Sequence, residues 1–311
     1  MFKNQRILIC PLNWGIGHTT RMVAYAKQLM VAGNQIMVAG DHAVLDIFKE
    51  ELPEMERILL QDIHVRYSRS DKQVRKLILH SPIFMYSLFR QHLALKHLLK
   101  KIDVDVVISD NRPSLWSTKV KSYYVTHQPN LKLSDGWHWA EKLATFVHQY
   151  FIRRYDALLI PDVAGKESLS GELSELHNTK LKVYHIGWLS RFEKPEVEMD
   201  RENYTLLILS GVEPSRTHLY NEIVERFKGT EEQLIIAGGY KAETHDNIIT
   251  LPYVRTEALK PLILCAKHVI CRSGYSMITD LKVLGRDAEY IPTPGQPEQE
   301  YLAQLHSQPK K

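Results

Sequence analysis

The sequence predicts an α/β protein made of two doubly wound domains, and three observations carry that expectation. Apolar runs of four to six residues alternate with longer amphipathic stretches, as parallel strands buried on both faces and joined by crossover helices do. The alternation begins twice, on either side of Ser190 to Asn203, a polar and charged stretch that carries Pro195 and little apolar periodicity. A chain of 311 residues also exceeds what one hydrophobic core usually organises.

Taken in order, the expected strands of the first domain are Arg6–Cys10, Gln35–Ala39, Val104–Ser109, Ser122–Thr126, Ala157–Ile160 and Lys182–His185. Those of the second are Thr205–Leu209, Gln233–Ala237, Ile248–Leu251, His268–Cys271 and Glu289–Ile291. The expected domains are therefore residues 1–190 and 204–311, with 191–203 as a linker. In such sheets the ligand crevice lies beyond the carboxyl ends of the strands, so the residues just after each strand are the first candidates for chemistry.

Composition narrows the class. With 44% apolar and 24% charged residues the chain is that of an ordinary globular protein. A formal charge of +4, from 40 basic and 36 acidic side chains, is too mild to argue for nucleic acid as a partner. Cys10, Cys265 and Cys271 form no C-x-x-C pair, which points away from a disulfide framework or a zinc site and towards a reducing cytoplasm. No stretch approaches the roughly 18 to 20 apolar residues that cross a bilayer, and no signal peptide is evident, so membrane contact is expected only as a peripheral one.

After the first strand comes Gly15-Ile16-Gly17-His18-Thr19-Thr20-Arg21, then apolar helical spacing at Met22, Val23, Ala26, Leu29 and Met30. The two glycines permit a tight turn at a helix N-terminus, where an anion or a polar sugar can be held. The imidazole of His18 can take a proton from an attacking hydroxyl; a helix-capping or solvated histidine explains the position equally. Asp110, directly after the third expected strand, belongs to the same acceptor-side set.

In the second half, Ser210-Gly211 and Gly238-Gly239 follow strands and let backbone approach a ligand. The run Cys271-Arg272-Ser273-Gly274-Tyr275-Ser276 leads into a helix whose first amides can face a diphosphate. Asp280 sits about one turn further along that helix, where a carboxylate can accept ribose hydroxyls, and Glu298 and Gln299 follow the next strand. Each of these alone could be a cap or a surface polar group.

Two stretches offer surfaces. Between Lys72 and Ile102 there are seven Lys or Arg and no Asp or Glu, interleaved with apolar residues such as Leu77, Phe84, Leu88 and Phe89. A basic amphipathic helix pair of this kind can rest on an anionic membrane, or it can pack its apolar face on the first sheet and solvate its charges. Trp137-His138-Trp139 with Phe146, Tyr150, Phe151 and Arg153-Arg154 suits an interface, an acceptor site or a core helix with a basic end.

On these motifs the chain resembles glycosyltransferase family 28, the family of the bacterial UDP-N-acetylglucosamine transferase of lipid-linked peptidoglycan precursor synthesis, over nearly its whole length. Gly15-Ile16-Gly17-His18 is similar to that family's glycine-rich first turn, which implies His18 as catalytic base. Thr126-His127-Gln128-Pro129-Asn130 is similar to its His-Glu-Gln-Asn segment near the acceptor, which implies acceptor-side roles for His127 and Asn130. Ile186 to Arg191 stands where the family ends its first domain with Gly-Asn-Pro-Val-Arg, so Arg191 is implied in neutralising the diphosphate. Cys271-Arg272-Ser273-Gly274 is similar to the donor-site motif almost letter for letter. Asp280 replaces the family's ribose-binding glutamate, a shorter carboxylate. The chain stops at Lys311, where family members continue with helices that close the cleft, so those helices are expected to be missing.

The resemblance implies a GT-B fold, two Rossmann-like domains facing across a cleft, and a metal-independent, inverting transfer of a hexose or hexosamine from a UDP-sugar co-substrate to a hydroxyl of a glycan or lipid-linked acceptor. It implies no other cofactor and a cytoplasmic location, with or without peripheral contact with the inner membrane face. Two rivals remain. Gly17-His18-Thr19-Thr20-Arg21 also resembles the Gly-His-x-x-Arg segment of the UDP-sugar hydrolase of pseudaminic acid synthesis, with water in place of the acceptor. The early chain end also suits a non-catalytic nucleotide-sugar-binding protein.

Overall fold

The protein is described here by a computed structural model covering residues 2–13, 16–61, 73–133, 138–176, 181–197 and 199–307. Gly15, Lys72 and Trp137 therefore lie outside the described residues, as do the side chains of residues 73–82 and 84 in the basic stretch. The chain divides into two compact units, Met1–Asn13 with His18–Leu189, and Ser190–Lys311 with the short segment Trp14–Gly17. Each main body is a Rossmann-like α/β domain.

The first unit runs β1 (Arg6–Cys10), α1 (Ile16–Val31), β2 (Gln35–Gly40), α2 (His42–Glu51), β3 (Glu56–Leu59), α3 (Gln73–Leu98), β4 (Val106–Asp110), β5 (Lys121–Val125), α4 (His138–Ile152), β6 (Ala157–Ile160) and β7 (Val183–His185). Its strands form one parallel sheet in the order β3-β2-β1-β4-β5-β6-β7. The apolar run of β1 is explained by its central place. Ile7 and Ile9 join the core formed with Met22 and Ala26 of α1 and Phe48 of α2, while Leu8 and Cys10 join the opposite core with Leu95 of α3. A strand buried on both faces has no side on which a polar residue is tolerated, and each such Ile or Leu contributes about 1.5–3 kcal/mol on burial.

The second unit runs β8 (Glu202–Ile208), α5 (Ser215–Phe227), β9 (Gln233–Ala237), β10 (Glu243–His245), β11 (Ile248–Leu251), α6 (Thr256–Cys265), β12 (Ala266–Cys271), α7 (Tyr275–Leu284), β13 (Glu289–Tyr290) and α8 (Pro297–Ser307). The strand order is β10-β11-β9-β8-β12-β13, parallel except for β10 against β11. Leu206 and Ile208 face a core with Leu259 and Ile263 of α6 and Leu281 of α7, and Leu207 faces another with Leu219 and Ile223 of α5. Gly285 adopts φ 67°, and its N–H caps the carbonyls of Leu281 and Lys282, which stops α7.

Two strands, β3 and β10, were not expected from the sequence. Both are edge strands, and the three residues of β10 are all exposed, so neither needs the apolar run by which the central strands are recognised. The expected linker also begins inside the second unit: Phe192 is buried in its core, and β8 starts at Glu202. Cys10 and Cys271 are buried in β1 and β12, none of the three cysteines forms a disulfide, and burial pushes the Cys271 thiol far up.

At the carboxyl end of β6 a buried carboxylate organises the following loop. Asp162 accepts the backbone N–H groups of Val163 (2.8 Å), Leu169 (3.2 Å) and Ser170 (2.9 Å), the hydroxyls of Ser168 (2.8 Å) and Ser170, and the indole N–H of Trp188 (2.9 Å). Burial alone would raise its pKa, but the hydrogen bonds, those from Ser170 foremost, hold it below the usual carboxylate value. A carboxyl depressed in the folded state contributes stability that is complete above its unfolded pKa of about 3.9 and is lost as pH falls through the folded value. Asp162→Ala is expected to cost about 2–3 kcal/mol at neutral pH, since it strands several buried donors. Urea midpoints of wild type and variant, followed from pH 7 downwards, should draw closer together only below about pH 3.9, where the charge-dependent part is lost and the part due to the stranded donors stays. A gap independent of pH would show that the carboxylate charge contributes nothing.

Candidate functional site

A doubly wound sheet has one place where the chain reverses its direction of strand addition, and there the loops after two neighbouring strands part to opposite sides. In the first unit that place lies between β1 and β4, whose register pairs Cys10 with Ser109. Helix α1 starts beyond the end of β1, which sets His18 in its first turn beside Asp110, the last residue of β4. Arg21 follows His18 by three residues and so shares its helix face. His127 follows β5, the next strand over, where Asp110 pairs with Val125.

These four side chains form one bonded group. His18 Nδ1 lies 2.9 Å from Asp110 Oδ2. Arg21 Nε donates to Asp110 Oδ1 at 3.1 Å, and Nη2 donates to the same oxygen. Arg21 Nη1 is 3.0 Å from His127 Nδ1, and Nη2 is 2.9 Å from His18 Nδ1. Asp110 is wholly buried and Arg21 is 2% exposed, whereas the His18 side chain keeps 17% of its surface open. Burial would raise the Asp110 carboxyl, but the Arg21 guanidinium and the His18 ring outweigh it and hold the carboxyl below its usual range. The result is a partly exposed imidazole backed by a fixed negative charge. That is the arrangement a general base needs.

Gly17 lies in the first turn of α1. Asn130 sits apart from this group in its bonding. Its amide donates to the carbonyls of Glu172 (3.1 Å) and Glu175, which fastens the segment after β5 to residues 171–175.

In the second unit the reversal lies between β8 and β12, with β13 next to β12. Ser210 and Gly211, the segment Arg272–Ser276, and Glu298 with Gln299 therefore come from the carboxyl ends of three adjacent strands. Gly211 has φ 107°, a backbone state that a side chain disfavours, and it lies against Thr293. Helix α7 has Gly274 as N-cap, so no side chain caps its first turn at Tyr275 and Ser276. Such a terminus carries a partial positive charge suited to a phosphate.

Several polar groups of this set are bonded inside the unit. Arg272 is 5% exposed; its guanidinium donates to the carbonyls of Ile291 (3.3 Å), Pro292 (2.8 Å) and Ser215 (2.7 Å), and burial lowers its pKa. Ser273 Oγ donates to the Gln299 carbonyl at 2.7 Å, and the Gln299 side chain accepts from Thr293 N at 2.9 Å. Asp280 is 3% exposed and accepts from Ser190 Oγ (2.8 Å), Arg191 N (3.2 Å) and Arg191 Nε (2.8 Å). Burial raises the Asp280 carboxyl, and Arg191 and Ser190 only partly offset it. Removing Asp280 would leave the largely buried Arg191 without this counter-charge, so a substitution there reports on stability as well as on any nucleotide contact. Among the described residues no group of three or more His, Cys, Asp or Glu could hold a metal ion, and no helix is long and apolar enough to cross a membrane.

With this geometry in view, comparison with solved structures identifies the architecture. Arabidopsis thaliana UGT89C1, complexed with UDP-L-rhamnose, matches over 99% of this chain and 90% of its own, with TM-score 0.55 and 11% identity. This chain has the GT-B fold. Phytolacca americana UGT2, in complex with UDP-2-fluoro-glucose and pterostilbene, matches over 97% of this chain and 83% of its own, with TM-score 0.59 and 13% identity. MurG of Acinetobacter baumannii matches over 97% and 82%, with TM-score 0.57 and 14% identity. No family model and no curated sequence matches the chain. At these identities the likeness establishes the GT-B fold and leaves the chemistry to the residues.

Arg21 entered the sequence reading only as a letter of a motif. Its signal was its spacing: a basic residue three positions after His18 on an otherwise apolar helix face needs a buried counter-charge, and Asp110 at the next strand end supplies one.

Proposed function

We propose that this protein is an inverting glycosyltransferase of the family 28 type, moving a hexose or hexosamine from a UDP-sugar to a hydroxyl of a glycan or lipid-linked acceptor. The observation that carries the reading is the bonded pair of His18 and buried Asp110 at the strand reversal of the first unit, with the imidazole partly open to solvent. His18 Nε2 takes the acceptor hydroxyl proton as its oxygen attacks the anomeric carbon. The bond from that carbon to the diphosphate breaks, UDP leaves with the electron pair, and Asp110 stabilises the imidazolium. In the second unit the amino end of α7, with Gly211 after the neighbouring strand β8, holds the diphosphate, and the helix dipole supplies the positive charge that a metal provides in other transferases. Ser210, Glu298 and Gln299 are proposed to read the nucleotide sugar, with Arg191, Arg272 and Asp280 shaping the ground beneath it.

His18→Ala should lower turnover about 10²- to 10⁴-fold, with the UDP dissociation constant unchanged by titration calorimetry. Turnover that survives the substitution removes His18 from the base role. The hydrolase reading draws support from the placing of Arg21 beside His18 in the Gly-His-x-x-Arg segment. It is separated by incubating the protein with UDP-sugar alone: consumption as fast without an acceptor as with one favours hydrolysis.

The acceptor side carries a second proposal, a peripheral contact with an anionic membrane at a cytoplasmic face. Helix α4 exposes Trp139, Leu143, Phe146 and Tyr150 at helical spacing, and α3 exposes Tyr86 and Phe89 beside Arg90. Trp116 lies between α3 and the turn just past α4, with the His92 ring at 4.4 Å and the Arg154 guanidinium at 5.5 Å. Exposed aromatic residues with basic neighbours and no nearby acidic residue on α3 suit such a surface. The wild-type protein should sediment with phosphatidylglycerol vesicles, and a Phe89→Glu, Phe146→Glu double variant should not. Equal sedimentation of the two places the contact elsewhere or nowhere.

A further inference from the structure

His18 Nδ1 has two neighbours that make opposite demands on it. Asp110 Oδ2, at 2.9 Å, can only accept, so it requires a proton on Nδ1. Arg21 Nη2, also at 2.9 Å, can only donate, so it requires a lone pair there. A single ring nitrogen cannot satisfy both. The choice decides the chemistry, because a neutral imidazole with its proton on Nδ1 presents a bare, basic Nε2, whereas one with its proton on Nε2 has no base at its open edge.

The rest of the group shows which demand prevails and why. Arg21 delivers two of its donors, Nε and Nη2, to Asp110 Oδ1 and a third, Nη1, to His127 Nδ1. The guanidinium is planar and 2% exposed, so its fork has one orientation available. With Oδ1 occupied in this way, the wholly buried carboxylate turns Oδ2 to the imidazole. A buried ionised oxygen without a donor is costlier than a guanidinium N–H that already shares an acceptor.

We propose that Arg21 is a positioning residue that fixes the His18 tautomer through Asp110. By gripping Oδ1 and His127 it locks the carboxylate so that Nδ1 must carry the proton and Nε2 is left as the base. This deepens the transferase reading and rests on it for its catalytic consequence. The tautomer itself is a property of the resting protein and can be measured whether or not sugar is transferred.

The direct measurement is two-dimensional proton–nitrogen correlation of the imidazoles in the full chain labelled with ¹⁵N-histidine, at about pH 8.5, above the ordinary histidine range. The His18 resonances are assigned by their loss in His18→Gln. The wild type should show Nδ1 protonated and Nε2 bare. Arg21→Met leaves the wholly buried Asp110 without the guanidinium that keeps it ionised, so the carboxyl takes up a proton and donates it to Nδ1; the opposite tautomer should then be populated and kcat should fall about 10²-fold, with the KM for UDP-sugar within twofold. Arg21→Lys, which keeps the charge without the fork, should fall between the two. If Arg21→Met does not fold, Arg21→Lys decides the matter by the same spectrum. A wild-type His18 protonated on Nε2, or an Arg21 variant that folds and keeps the wild-type tautomer, overturns the proposal. A wild type with the expected tautomer that transfers no sugar from any donor sinks the transferase reading and leaves this inference intact.

Discussion

One buried charge governs the first unit. Asp110 ends a central strand at a point with no access to water, where an ionised carboxylate survives only if every oxygen is met by a donor. Arg21 meets one oxygen and His18 the other, and both come from the opening turns of α1. The carboxylate thereby fixes the start of α1 against the end of β4, and with it the position of the only one of these groups that reaches solvent. The site is in this sense a by-product of solving a burial problem, and its geometry is as rigid as that solution.

The second unit repeats the topology but spends its polar groups differently. Asp280, Arg272, Ser273 and Gln299 turn inwards and tie the loops after β12 and β13 to one another and to the start of the unit at Ser190 and Arg191. What the loops then present is a helix terminus and backbone held in place by those internal bonds, with Gly211 allowing a close approach. A diphosphate is well served by such a surface, since helix amides meet its charge without the reorganisation that long cationic side chains require.

The central strands were legible because burial on both faces leaves an unbroken apolar run, as in Ile7–Cys10 and Leu206–Ile208. The edge strands β3 and β10 were not, since a strand with one neighbour can be polar throughout. The same contrast holds for the site. His18 and Asp110 were found by their place after strands, a rule that depends only on topology. Arg21 as the link between them was not found, because the contact joins residues 89 positions apart. For Asp280 the sequence shows a carboxylate on a helix after a glycine turn, but not the direction it faces. In the structure its neighbours Ile278, Thr279 and Leu281 are all buried, and Asp280 is turned inwards with them to Arg191.

Inversion requires that His18 work as a base on the face of the sugar opposite the leaving diphosphate. Its stereochemical signature is direct: proton NMR of the first-formed product, taken before the anomers equilibrate, from an α-linked UDP-sugar and an acceptor that the protein uses. A β-linked product is predicted; an α-linked one would mean that no single displacement assisted by this imidazole takes place.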